Sequence, residues 1–550
     1  MCDSNKNYSI FNDILGPIMI GPSSSHTAAP ARIGYLVGQL VEYNPKKVFI
    51  EFEKGKSFAG NYIGLKSNKA FIAGIIGWKP DDPRLPLSII EAKKRKIEID
   101  FRIRDIKKDT CSIQNKTTIK EHRRKYCEEI IKIVLISKYN EKYTILAKSL
   151  GGGMIEIIEI NDLPVSIFGN SYEGLILLED VSENDVIAIC KQIESTIQNI
   201  LAVDYSICKR RGHINIKTNY LVDYNIFQLD KKLKKNTKIF QIKPILPVLN
   251  NGKCNILFRT AREMNSFSKN NNVEFWEAGL MYESTVSGWT AKEILKHLEK
   301  IITIMKNAIK SGLNSDREEL GYKKTEARKI YNAYKNGKFL YTGILDSAII
   351  YALAIMEVNS TSSLPIVAAP TAGACGILPA VILSIGENNS ISNERLIKAL
   401  LVAGGIGLAI ANQATFAGDV GGCQAECGSA SSMAAAAAAY LAGGNSEQIL
   451  SAASIALQNV LGLICDPVDS QVIIPCINRN FMAVSNAITS ANVANSGYNC
   501  VIPLDEVIQV MSKVGTLLAP ELKGTCLGGL CGSVTAKKIS SNNLDVKGSQ

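Results

Sequence analysis

Residues 431–444 read SSMAAAAAAYLAGG, and a run this rich in alanine restricts what the chain can fold into. Alanine has the highest helix propensity, but its side chain buries too little surface to hold an isolated helix together. Such a helix needs close neighbours on every side. A second stretch, ALLVAGGIGLAIA at 399–411, fits that requirement, because Gly and Ala let helix backbones approach closely. It is too short to span a bilayer and is bounded by Lys398 and Asn412, so it reads as a buried helix, and no membrane role is expected. From about residue 345 onward the chain therefore predicts an all-α bundle.

The first 245 residues differ. They are rich in Ile, Lys and β-branched runs such as KVFIEFEK and KYTILAKSL, which predict strands. A composition shift of this kind marks a domain boundary, and KPILPVLNNGK at 243–253 has the Pro and Asn-Gly content of a linker. Within the first part, YEGLILLED predicts a strand and SENDVIAICKQIESTIQNI a helix capped by Ser182. A hairpin is expected around Arg211–Gly212. Strand–helix–strand–strand begins a ferredoxin-like βαββαβ unit. The expected fold class is multidomain α+β, with boundaries at 1–170, 171–245, a linker at 246–253, and 254–550.

Composition narrows the function. The net charge is +11, but the lysines lie in short runs such as KKLKKNTK (231–238) without interleaved aromatics, so nucleic acid is not expected as a partner. The opening MCDSNKNYSIFNDI has no apolar core of a secretory signal, and a cytoplasmic location is expected. Fourteen cysteines then read as thiols or metal ligands rather than a disulfide framework. Cys423 follows Gly421–Gly422, Cys465 follows an apolar helix, and Cys476 precedes the next, the last two each beside a proline. None forms a C-x-x-C knuckle, which argues against a zinc finger. Three thiolates meeting on turns suit an iron–sulfur cluster, whereas three buried small hydrophobes is the plainer reading.

The stretch GPSSSHTAAP at 21–30 gathers Ser23, Ser24, Ser25 and Thr27 around His26, one of four histidines in 550 residues. Gly21, Pro22 and Pro30 break regular structure, placing the hydroxyls on a turn before a helix. Hydroxyls and free N–H groups at a helix start cradle a carboxylate or phosphate, or simply cap the helix.

Together, GPSSSHTAAPARIG, VAAPTAGACGILP (367–379), GGCQAECGSASSMAAAA and LGLICDPV…VIIPCINRN resemble the iron–sulfur L-serine dehydratases over nearly the whole chain. The resemblance implies a β part fused before an α part, with the βαββαβ stretch matching an ACT domain. It also implies a lyase releasing pyruvate and ammonia from L-serine, with a 4Fe–4S cluster on Cys423, Cys465 and Cys476. The iron without a protein ligand acts there as Lewis acid toward the β-hydroxyl. Ser23, Ser24, Ser25 and Thr27 grip the substrate carboxylate, and His26 orients it or exchanges a proton. Cys375 and Cys427 are packing residues, and a homodimer is the expected assembly.

Two departures stand out. Relatives carry GHGTD where this chain has GLKSN (64–68), so Leu65 replaces a proposed catalytic histidine and Lys66 becomes the candidate substitute base. Near the end, KGTCLGGLCGS (523–533) adds Cys526 and Cys531, with Cys526 the candidate fourth cluster ligand or a buried thiol. The terminal KKISSNNLDVKGSQ is polar and expected to lack regular structure. Competing readings are a pyridoxal-phosphate amino-acid lyase and a non-catalytic amino-acid sensor built on the ACT-like unit.

Overall fold

The β-branched first part folds as a six-stranded sheet. The computed structural model describes residues 7–106, 129–208, 210–222, 237–252, 254–315 and 318–547. After a short strand β1 (Ile18–Ile20), the strands are β2 (Pro45–Glu53), β3 (Glu98–Arg104), β4 (Ile130–Ser137), β5 (Lys142–Gly151), β6 (Met154–Ile160) and β7 (Leu163–Ile167). They lie in the order β3-β2-β4-β5-β6-β7, with β2 and β3 parallel and the other neighbours antiparallel. Buried positions alternate along β2 and β4, so one face is covered. The helices Ala29–Gly38 and Ser67–Ile75 supply that cover. Gly34 and Gly74 let them touch, since a Cβ on Gly74 would sit 2.2 Å from Ala31 O.

The second unit comprises β8 (Tyr172–Glu179), the helix Glu183–Thr196, β9 (Ala202–Cys208), β10 (Arg211–Thr218) and β11 (Thr237–Ile242). Its antiparallel order is β11-β8-β10-β9, with the helix on one face and Ser182 capping it reciprocally with Asp185. The hairpin turn precedes Arg211, which already belongs to β10 together with Gly212. The second helix of a βαββαβ unit would fall on 223–236, outside the described residues, as does most of the lysine run at 231–238.

The helical part follows an irregular stretch from 243 to 260. Apart from a small hairpin of β12 (Glu319–Leu320) and β13 (Lys323–Lys324) and the strand β14 (Pro365–Val367), it is built from helices. The alanine run forms the helix Ser429–Leu441, buried at every residue but Tyr440. It packs against Ile377–Asn388, Asn393–Gln413, Ser446–Gln458 and Cys476–Asn495. The helices Ile344–Thr361 and Asn393–Gln413 are long and apolar enough to cross a membrane, yet 61% and 83% of their apolar windows are buried inside the protein.

Three expectations are corrected. The boundary at 1–170 does not describe residues 10–19, whose buried apolar side chains belong to the helical core. Ile10, Phe11, Ile14, Leu15 and Met19 are at most 1% exposed and pack there, while β1 pairs antiparallel with β14. Five such side chains contribute about 10 kcal/mol of burial. Glycines make the groove: a Cβ on Gly407 would stand 2.1 Å from Ile14 Cγ2, and one on Gly404 2.8 Å from Ile10 Cγ2. Second, the polar tail is helical over Val534–Lys547, because Ser533 Oγ accepts from Ala536 N (3.2 Å) and Ala536 is buried. Third, among the described residues ten cysteines are free thiols, but Cys208 is disulfide-bonded.

Candidate active site

The three cysteines sit on separate loops that a few side chains bind together. Gly422, at φ +77°, turns the chain into Cys423, and a Cβ there would lie 2.7 Å from Leu463 O. The buried Gln424 then stitches two loops. Its N donates to Leu463 O (3.0 Å), its Oε1 accepts from Gly462 N (2.9 Å), and its Nε2 donates to Gly421 O (2.9 Å). This fixes the Cys423 turn against the loop that carries Cys465. Cys476 opens the helix Cys476–Asn495, and one turn on, Arg479 reaches back. Its guanidinium donates to Asp466 Oδ1 (2.7 Å) and Ile464 O (2.7 Å), clamping the Cys465 loop to that helix.

The sulfurs share a charged environment, with Cys423 buried and Cys465 and Cys476 partly buried. Burial pushes the Cys476 thiol up, as do the neighbouring Cys423 and Glu426. Cys465 is raised by burial and by Glu426, Cys423 and Cys476. Cys423 is lowered by a hydrogen bond from Cys427, with Arg479 also favouring its thiolate. Glu426 belongs to the same group. Its carboxyl accepts from Thr371 Oγ1 (2.8 Å) and is pushed up to about 7 by burial, with Asp419 adding to the shift. A Cβ on Gly418 would lie 2.4 Å from Glu426 Oε2 and 3.4 Å from Cys465 Sγ, which places the two side chains around one point. Among the described residues, no three His, Cys, Asp or Glu side chains converge tightly enough for a single metal ion.

The SSSHT stretch forms a wide, π-type turn leading into the helix Ala29–Gly38. Ser23 Oγ accepts from His26 N (3.2 Å), and Thr27 Oγ1 donates to Leu65 O (2.8 Å). The His26 ring lies between two hydroxyls, with Nδ1 2.9 Å from Ser25 Oγ and Nε2 2.9 Å from Ser57 Oγ. Phe58 packs on the ring at 4.4 Å. Burial lowers the imidazole to about 4, so it is neutral at pH 7. Ser24 and Thr27 are buried, whereas Ser23 and Ser25 keep some exposure.

One side chain joins this turn to the cysteine region. Asn359 Nδ2 donates to Pro22 O (3.0 Å) and to Ala372 O (3.1 Å), the residue after Thr371. Asn480 holds the same loop from the other side, donating to Gly373 O (2.8 Å) and accepting from Gly376 N (3.1 Å). All four sequence motifs therefore meet between the first sheet domain and the helical part. A further carboxyl, Glu129, faces the same junction. It accepts from Phe58 N (2.5 Å), and burial, with Asp419 adding to it, raises it to about 8.

Lys66 is placed differently from the neutral base expected of it. Its ammonium donates to Ser362 Oγ (2.6 Å), Thr361 O (3.1 Å) and Ser360 O (3.3 Å), at the C-terminus of the helix Ile344–Thr361. Burial lowers it to about 8, which leaves it charged at pH 7, and a cation at a helix C-terminus is favourable. Cys526 lies beside the Cys465 loop, but its thiol donates to Pro467 O (3.1 Å) and sits 3.1 Å from Ser470 Oγ. Cys375 is wholly buried, with Sγ 3.7 Å from Met356 Sδ. Sequence reasoning missed Glu426, Arg479, Asp466, Asn359 and Glu129. For two of them a signal existed: Glu426 and Arg479 each stand three residues after a key cysteine, one helical turn away.

The chain is similar to known proteins in both of its halves. Residues 174–531 match the family model described as serine dehydratase alpha chain, and residues 9–159 match that of serine dehydratase beta chain. The chain is 40% identical to the L-serine dehydratase alpha chain of Peptoniphilus asaccharolyticus over 289 residues, which is 52% of this chain and 99% of that one. It is 36% identical to the probable L-serine dehydratase alpha chain of Bacillus subtilis over 283 residues, covering 52% of this chain and 94% of the relative. With the L-serine dehydratase TdcG of Escherichia coli, identity is 34% over 280 residues, 50% of this chain and 61% of the relative.

Proposed function

Because the chain belongs to the serine dehydratase family, with beta- and alpha-chain parts fused in that order, we propose residue roles for the conversion of L-serine to pyruvate and ammonia. Cys423, Cys465 and Cys476 would hold a 4Fe–4S cluster. The donor set fits: burial and mutual repulsion oppose ionisation of Cys465 and Cys476, so a cationic partner is what would make the three sulfurs thiolates together. When bound, such a cluster supplies Lewis acidity toward the substrate's β-hydroxyl.

The remaining work falls to side chains. Ser23, a partly exposed hydroxyl of the turn, holds the substrate carboxylate. Neutral His26 takes the Cα proton through the Ser25 hydroxyl, since its Nδ1 is 2.9 Å from that oxygen. Glu426, oriented by Thr371, is the carboxyl placed to pass a proton to the departing hydroxyl. Removing both groups leaves aminoacrylate, which tautomerises and hydrolyses in water. Lys66 acts as a charged tie between domains and takes no part in this scheme. The four-stranded unit is assigned as ACT-like on its strand order β11-β8-β10-β9.

The observation that carries this reading is Asn359, which holds the SSSHT turn and the Thr371 loop in one place. The test is anaerobic purification followed by assay of pyruvate from L-serine. The expected result is turnover together with broad visible absorbance, both lost in Cys476→Ser. Turnover that survives in Cys476→Ser with no bound iron would end the proposal.

A further inference from the structure

The segment 520–533 is a strap laid over the loop that carries Cys465. Cys465 N donates to Leu522 O (2.9 Å), Gly524 N donates to Cys465 O (2.6 Å), and Leu530 N donates to Asp466 Oδ2 (2.7 Å). Two thiols complete the hold. Cys526 Sγ and Cys531 Sγ each donate to the same carbonyl, Pro467 O, at 3.1 Å, which brings the two thiols side by side. Both are partly exposed, in a strap whose neighbouring Leu527 is 74% exposed, so a small reagent reaches them.

We propose that Cys526 and Cys531 are a reversible dithiol–disulfide site, which exchanges with a small-molecule disulfide and unlatches the strap when oxidised. In the first step Cys526 loses its proton, and its thiolate attacks one sulfur of the incoming disulfide. The Cys526–reagent bond forms, the reagent's own S–S bond breaks, and one reagent thiolate leaves and takes up a proton. Cys531 then loses its proton and attacks Cys526 Sγ, forming the internal disulfide and expelling the second reagent thiol. Two protein thiols are oxidised, and one external disulfide is reduced to two thiols.

The latch follows from the donors. A disulfide has no S–H, so Pro467 O loses both thiol hydrogen bonds at once. The Leu522, Gly524 and Leu530 ties remain, and Ser470 Oγ can still donate to the Cys526 sulfur. Losing two weak hydrogen bonds makes the strap open roughly fivefold more often. The reading needs only the strap geometry and stands whether or not the cysteines beneath it hold a cluster.

The experiment uses anaerobically purified full-length protein, equilibrated in glutathione buffers of stepped reduced-to-oxidised ratio. Thiol alkylation with peptide mass mapping reads the disulfide, and limited trypsin cleavage after Lys523 reads the strap. The expected result is a Cys526–Cys531 disulfide that forms and reverses with the ratio, with cleavage at Lys523 about fivefold faster in the oxidised form. Cys531→Ser, whose hydroxyl still donates to Pro467 O, is expected to stop at a glutathione adduct on Cys526. Cys526→Ser is expected to show neither the disulfide nor faster cleavage. The proposal is overturned if both thiols stay alkylatable at every ratio, if either pairs with a different cysteine, or if cleavage at Lys523 is the same in both forms.

Discussion

Arg479 and Asp466 meet at 2.7 Å with side chains only 13% and 2% exposed, and this pair locks the helix that starts at Cys476 to the loop that carries Cys465. Removing one partner leaves an uncompensated buried charge. Arg479→Ala is therefore expected to cost about 3–5 kcal/mol in unfolding free energy, read by urea denaturation. Arg479→Lys keeps the charge but cannot reach both Asp466 and Ile464 O as a fork, so an intermediate loss is expected.

Asn359→Ala removes two donors and strands the carbonyls of Pro22 and Ala372 inside the protein. A loss of about 3 kcal/mol is expected. If Asn359 also sets the position of the SSSHT turn, KM for L-serine rises in the same variant. A stability loss with unchanged KM would separate the turn from the substrate.

Glu426→Gln keeps the bond from Thr371 and removes the transferable proton. Its kcat is expected to fall by roughly two to four orders of magnitude with KM changed little, as when a general acid is lost. Iron content is measured alongside, and a variant that has lost its iron would place Glu426 in assembly of the site instead.

Glu283 gives a pH signature remote from the cysteines. Its carboxyl accepts from Ser9 Oγ (2.7 Å) and Ile10 N (2.6 Å), and burial raises it to about 8. A carboxyl raised on folding contributes fully below its unfolded value, near 4.5, and that contribution is lost as pH climbs through 8. The wild type should therefore lose about 5 kcal/mol relative to Glu283→Gln between those limits. Denaturation midpoints of the two proteins at matched pH check this, and parallel curves would refute it.

Gly407→Ala places a methyl 2.1 Å from Ile14 Cγ2, so something must shift. Overpacking there is expected to cost about 1–3 kcal/mol. Proteolysis within the first twenty residues is expected to rise with it, since the same contact holds that segment in the core.

Much of this architecture was readable from the residues alone. The alanine run and the glycine-laced helix were legible as helices packed on all sides, and KVFIEFEK and KYTILAKSL as the strands β2 and β5. The Ser182 cap was equally local. What escaped was non-local. Nothing in IFNDIL says that it will sit in a groove made by Gly404 and Gly407, because the complementarity appears only when both segments are folded. Lys66 reads as a candidate base until its three acceptors on the far helix end are seen. Glu426 and Arg479 sat within a turn of cysteines already singled out, yet their direction depends on the fold of each loop. The polar tail was misread because a single serine cap and one buried alanine were enough to set its helix.

The burial of Ile10 and Ile14 against Gly404 and Gly407 has a cost during translation. These side chains leave the ribosome roughly four hundred residues before their groove exists, a delay of about 20–80 s at ordinary elongation speed. Throughout that interval IFNDIL has no groove to enter, and it finds its place only after the helix Asn393–Gln413 has been made.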